Sequence, residues 1–285
     1  MRPRVAAVLF IMSCVPGIGC GTLISSATSG VADNLSQAVL DQEDTELVRD
    51  GAPAYLIAID GLIEGDPENE NLLLAGARLY SAYASAFVED EARAQRLTVR
   101  GKRYGERAIC GRSELLCESA VGPFDRFEAA LAKAREKDVP ALYGWGSAWA
   151  TWVQMNSSDY NAIADLPKVQ ALMERIVSLD DGYEDGGPHL YLGVLYTLRP
   201  ESLGGKPELG REHFEKSVDY SEGRNLMAKV MFARQYARLV FDQQLHDRLL
   251  GEVVEADPVE RGYTLSNVLA QDLARDLLAE SSEYF

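Results

Sequence analysis

The spacing of apolar side chains constrains this chain most. Leu72, Gly76, Leu79, Tyr80, Tyr83 and Phe87 recur at the intervals of a helix with one buried face. The same spacing returns in Val169, Leu172, Ile176 and Leu179, in Leu226, Val230, Ala233, Ala237 and Val240, and in Leu265, Leu269, Leu273 and Leu277. Alternation with period two is scarce, so the expected class is all-α. Breaks between stripes are brief. Asp66-Pro67 and Asp257-Pro258 each separate two stripes; aspartate starts turns or caps helices, and proline suits a first helical turn. Small residues such as Ala75, Gly76, Ala84, Gly144, Gly146 and Ala148 let helices approach closely. The pattern predicts tetratricopeptide-like stacked helical hairpins, an α-solenoid or bundle. The units do not keep a regular 34-residue period, so a plain irregular bundle is the alternative.

The N-terminus speaks to compartment. Arg2 and Arg4 precede an apolar run from Val5 to Val15. At about 11 residues it suits a signal-peptide core and falls short of the roughly 20 that span a bilayer. Gly19-Cys20-Gly21 follows, a small residue directly before a cysteine, which resembles a lipobox with Cys20 as the lipidated residue. Gly17 stands where lipoboxes usually carry leucine. The expected organisation is a lipoprotein signal peptide over 1–19, a lipidated tether over 20–30 and a single α-helical domain over 31–285. Acyl chains on Cys20 would hold the protein at a membrane, each buried methylene contributing about 0.8 kcal/mol. Gly21 after the cysteine favours the outer membrane by the sorting rule of enteric bacteria.

The chain carries 28 basic and 44 acidic residues, a net charge of −16. Without residues 1–19, 26 basic residues face the same 44 acids, giving −18. Such an excess argues against nucleic acid and against docking on anionic lipid. No apolar stretch after Cys20 is long enough to cross a membrane. Beyond the signal region only Cys110 and Cys117 remain, a plausible disulfide in an oxidising compartment. On one continuous helix the two would stand about 10.5 Å apart by rise alone, beyond disulfide reach. A bridge therefore requires the preceding helix to end near Gly111.

Signatures of catalysis are missing. His213 lies in Arg211-Glu212-His213-Phe214-Glu215, without the second histidine of a zinc-protease helix. Gly204-Gly205-Lys206-Pro207 lacks the spacing of a phosphate loop. No enzyme activity, metal or cofactor is expected, and a cell-wall hydrolase would need a carboxylate pair that the sequence does not single out. Trp145, Trp149 and Trp152 project from one side of a helix starting near Pro140. They either pack in a core or line an apolar pocket. Asn225, Lys229, Phe232 and Tyr236 share a face of the helix from Asn225 to about Phe241, where Lys229 either extends to solvent or meets a ligand carboxylate. Trp149, Trp152, Lys229, Phe232 and Tyr236 are accordingly the candidate ligand-binding residues.

Longer strings add a family resemblance. Leu203-Gly204-Gly205-Lys206-Pro207-Glu208, Glu212-His213-Phe214-Glu215-Lys216, Asn225-Leu226-Met227-Ala228-Lys229-Val230 and Tyr236-Ala237-Arg238 closely resemble the T component associated with tripartite ATP-independent periplasmic (TRAP) transporters, the TatT family. Val139-Pro140-Ala141-Leu142-Tyr143, Ala164-Asp165-Leu166-Pro167, Pro188-His189-Leu190-Tyr191-Leu192-Gly193 and Leu245-His246-Asp247-Arg248-Leu249-Leu250 support it. The resemblance covers nearly the whole mature chain. It implies a periplasmic lipoprotein with a tetratricopeptide-like helical fold and a central pore or cavity. It also implies that members can form trimers and dock the solute-binding subunit; the function expected on that basis is to hand a small solute, amphipathic or an organic acid, to or from that subunit. It brings no catalytic residue and no ligand motif. A tetratricopeptide-type envelope scaffold without a ligand is the rival reading.

Overall fold

The computed structural model describes residue 34 and residues 36–285. The signal segment, the tether and Cys20 lie outside the described residues. Among the described residues there are helices and turns and no strand.

A helical turn at 36–40 leads into α1 (Thr45–Gly65), α2 (Glu70–Phe87) and α3 (Glu91–Arg112). Each begins at an Asx cap that satisfies an orphan amide of the first turn. Asp44 accepts from the amide of Leu47 at 2.9 Å, Asn69 from Leu72 at 3.2 Å, and Asp90 from Arg93 at 2.7 Å. Asp66-Pro67 forms the turn between α1 and α2, and Asn69 does the capping. α3 continues through Gly111 to Arg112, and the extended Ser113 then ends it. There the chain turns into α4 (Glu114–Ser119), and a disulfide joins Cys110 to Cys117 with Cα atoms 4.7 Å apart.

After α5 (Phe124–Leu131) come α6 (Val139–Met155), with Pro140 in its first turn, and the short α7 (Tyr160–Ala164). α8 (Leu166–Leu179), α9 (Tyr183–Thr197) and α10 (Pro207–Tyr220) follow. α11 (Leu226–Met231) runs on as a π-helical segment over Phe232–Ala237. α12 (Gln243–Glu255) and α13 (Thr264–Ala279) form the last long pair, and α14 (Ser281–Tyr284) ends the chain.

Successive helices stack in order, α2 on α3, α3 on α6, α6 on α8, α8 on α9 and α9 on α10. Their inward stripes form three adjoining cores. Leu56, Ile63, Leu72 and Tyr80 anchor the first, Phe127, Trp145, Trp149 and Leu172 the second, and Phe214, Val230, Leu250 and Ala270 the third. Close crossings rest on small residues. At Gly105 an added Cβ would stand 2.9 Å from the Cα of Trp145, so only glycine lets α3 lie against α6 at this distance.

α9 does not start as an ordinary helix. Glu184 (φ 48), Asp185 (φ 52) and Gly186 (φ 80) are consecutively left-handed before Gly187-Pro188 opens the regular turns. That conformation costs a non-glycine residue about 1–2 kcal/mol, so surrounding contacts must hold it. Arg78 of α2 donates to Glu184 at 3.3 Å. Arg224 and the hydroxyl of Tyr263 donate to Asp185 at 3.2 and 2.9 Å. The strained turn thus ties the first hairpin to the last.

Candidate ligand cavity at the seam of the array

The first and last hairpins also meet directly. The amide of Gly262, before α13, donates to Asp41, before α1, and this bond holds the Asp41 carboxyl below the usual carboxylate range. Between the two hairpins lies a cavity of about 250 Å³. Its walls are Val48, Tyr55 and Leu56 of α1, Leu79, Ala82 and Tyr83 of α2, and Met227, Leu265 and Leu269 from α11 and α13. Val39 and Leu40 of the first helical turn complete it. The lining is almost wholly apolar. Such a surface binds apolar matter by excluding water.

The sequence-derived candidates sit elsewhere, and in two groups. Trp149 is buried in the second core, stacked on Trp145 with centroids 4.9 Å apart and edge-on to Phe127. Its Nε1 donates to Asp165 at 3.1 Å. Trp152 is partly buried against the same core, and the Lys102 ammonium lies 4.9 Å from its ring centroid. Lys229, Phe232 and Tyr236 belong to the third region. Lys229 donates to Glu252 at 2.8 Å, an attachment that holds the Glu252 carboxyl below its ordinary range. Phe232 stacks on Phe214, and the Tyr236 hydroxyl donates to Glu208 at 2.8 Å. The π-helical bonding from Phe232 onward delays each later side chain relative to α-helical spacing. The face drawn through Asn225, Lys229, Phe232 and Tyr236 on α-helical geometry is therefore not kept. None of the five candidates lines the seam cavity.

A polar cluster between α9 and α10 was invisible in the sequence. His189 and His213 approach Nδ1 to Nδ1 at 2.6 Å, and His189 Nε2 reaches Asp181 at 3.2 Å. Tyr220 stacks on His189 and Tyr196 on His213, at 5.6 and 5.5 Å between centroids. Burial pushes both imidazoles below their ordinary range, His213 to about 4. The bond from Tyr220 keeps the Asp181 carboxyl low. Its negative charge suits Nε2–H on His189, leaving His189 Nδ1 to accept from His213.

Comparison with known proteins decides the family. The model of the TRAP transporter T-component matches residues 41–285, which include every element from α1 to α14. The chain belongs to the TRAP transporter T-component family. This is a family of transport accessories and not of enzymes. The chain is also similar to an uncharacterized protein of Treponema pallidum (strain Nichols), 28% identical over 274 residues, spanning 88% of this chain and 84% of that protein. The helical hairpins and the seam between them are thus the architecture of a T component.

Proposed function

We propose that this T component is a periplasmic lipoprotein, anchored through Cys20 to the outer membrane. There it docks the solute-binding protein of a TRAP transporter and holds that protein's solute in transit. The observation carrying this reading is an accessible apolar cavity between the first and last hairpins of a chain whose family match runs from residue 41 to the end. A rigid stack of helices presents extended surface for a protein partner, and the cavity supplies a place for a small molecule. The lipobox-like Gly19-Cys20 supports the anchor.

Three measurements test this. Cross-linking in native membranes should capture a TRAP solute-binding protein, and deleting the chain should slow uptake of that system's solute. Cys20→Ser should move the chain from the membrane to the soluble periplasmic fraction, since acyl chains would be its attachment. Failure of capture at micromolar concentrations refutes the docking role. Unchanged sedimentation of the Cys20→Ser chain without its partner refutes the anchor.

A further inference from the structure

At the C-terminal end of α2 the apolar cavity adjoins a second, polar chamber of about 480 Å³, and the two share Ser85, Ala86 and Phe87. Arg49, Glu89, Asp90 and Arg93 bound the polar side. These charges are not equivalent. Asp90 is committed to capping α3 through the amide of Arg93. Arg49 lies 3.9 Å from Glu46, with both side chains more than half exposed. Glu89 is exposed. Arg93 stands at the boundary itself. Its guanidinium sits 5.6 Å from the ring centroid of Tyr83 and donates to the Tyr83 hydroxyl at 3.4 Å, while Tyr83 also walls the apolar chamber. Among the described residues no carboxylate pairs with Arg93.

We propose that the two chambers form one site for an amphipathic monocarboxylate, its apolar body in the seam cavity and its carboxylate on Arg93. The proposal rests on the reading that the seam cavity takes solute. In a chain of net charge −16, an anion is held only where a cation is locally uncompensated. Lys229 does not meet that condition, because Glu252 already neutralises it. Arg93 comes nearer to it: Glu89 and Asp90 share its chamber, but neither forms an ion pair with its guanidinium, and its planar fork is left with paired donors to offer a carboxylate. Tyr83 fixes that fork at the rim, so a ligand longer than the polar chamber must put its remaining length against the apolar walls.

The test is calorimetric titration of the Cys20→Ser full-length chain, so that no acyl chain of its own competes, with sodium octanoate, octylammonium chloride, 1-octanol and L-leucine. Octanoate should bind most tightly. Arg93→Met should weaken octanoate about tenfold or more, the loss expected for a charge-assisted hydrogen bond, while Lys229→Met leaves it unchanged. Ala82→Phe, which fills the cavity, should abolish binding of octanoate and octanol alike, with the helical circular dichroism retained. Four results overturn the proposal: no octanoate binding by the folded chain, octanol or octylammonium binding as tightly, L-leucine binding more tightly, or octanoate affinity within twofold of wild type in Arg93→Met. Capture of the solute-binding protein is scored on the same variants. Persistent capture without octanoate binding removes the ligand assignment and leaves the docking role standing.

Discussion

Acidification should loosen the contact between α9 and α10 through the paired imidazoles of His189 and His213. Near neutral pH the pair shares one Nδ1–H across 2.6 Å, stacked between Tyr220 and Tyr196. A second proton would place two cations in one buried contact. In the unfolded chain each histidine titrates near 6.5, whereas folding pushes His213 down to about 4. Below pH 6.5 the unfolded state therefore binds more protons, and stability falls as pH drops toward 4. From pH 6.5 to 5 the unscreened slope gives about 2 kcal/mol. The ring of His213 is only partly buried, so we halve this to about 1 kcal/mol. The carboxyl of Asp181, held low by Tyr220, loses its contribution only at still more acid pH. Urea unfolding followed at 222 nm at pH 7 and pH 5 measures the loss. His213→Asn keeps a donor toward His189 and removes one titrating ring. The wild type should lose about 1 kcal/mol more than this variant across that interval. Equal losses, or a smaller one in the wild type, would refute the argument.

Gly105→Ala should lower the melting temperature. The gain of up to about 1 kcal/mol in helix propensity is outweighed by a Cβ only 2.9 Å from the backbone of α6, where overpacking costs about 1–3 kcal/mol. Gly61→Ala, also within a helix but with nothing within 4 Å of its added Cβ, should raise it instead, and thermal unfolding of the two variants checks both signs. Replacing Cys110 and Cys117 with serine should cost about 2–3 kcal/mol, as expected for releasing so short a loop. Denaturation of the variant beside the dithiothreitol-treated wild type should give the same deficit.

The helices were legible because burial imprints its period on the residues it selects. The stripes beginning at Leu72, Val169 and Leu265 each lie on one helix, the stripe from Leu226 runs through α11 and the π-helical segment to a turn at Val240, and Pro140 opens α6 where proline is tolerated. Caps were harder, because Asp66 and Asn69 are both plausible and the choice depends on where α1 stops. The left-handed run Glu184-Asp185-Gly186 left no mark that separates it from a helical start; Arg78, Arg224 and Tyr263, far away in sequence, hold it. The π-helical segment within the α11 stripe was likewise silent, and it displaced the face assumed for Tyr236. For Trp149 the sequence left core packing and a pocket wall both open, and its packing against Trp145 and Phe127 is core. The stripes through Leu79 and Tyr83 and through Leu265 and Leu269 were both recognised. Their confrontation across a cavity was not, because pairing of distant segments has no local signature.

The bond between Asp41 and Gly262 spans 221 residues, yet between them every hairpin is built from neighbours in sequence. Closing so long a loop in a disordered chain would cost about 5 kcal/mol. Once the intervening helices have formed, that cost has already been met and the clasp closes almost freely. The converse also holds. Parting the clasp sacrifices the Asp41 bond, the apolar walls around Leu56 and Leu269 and the few contacts of α1 with α13, while the successive helix pairs between them stay packed. The two ends of the described array are therefore joined by a clasp rather than by an extensive helix pair, and that clasp is also where the cavity lies.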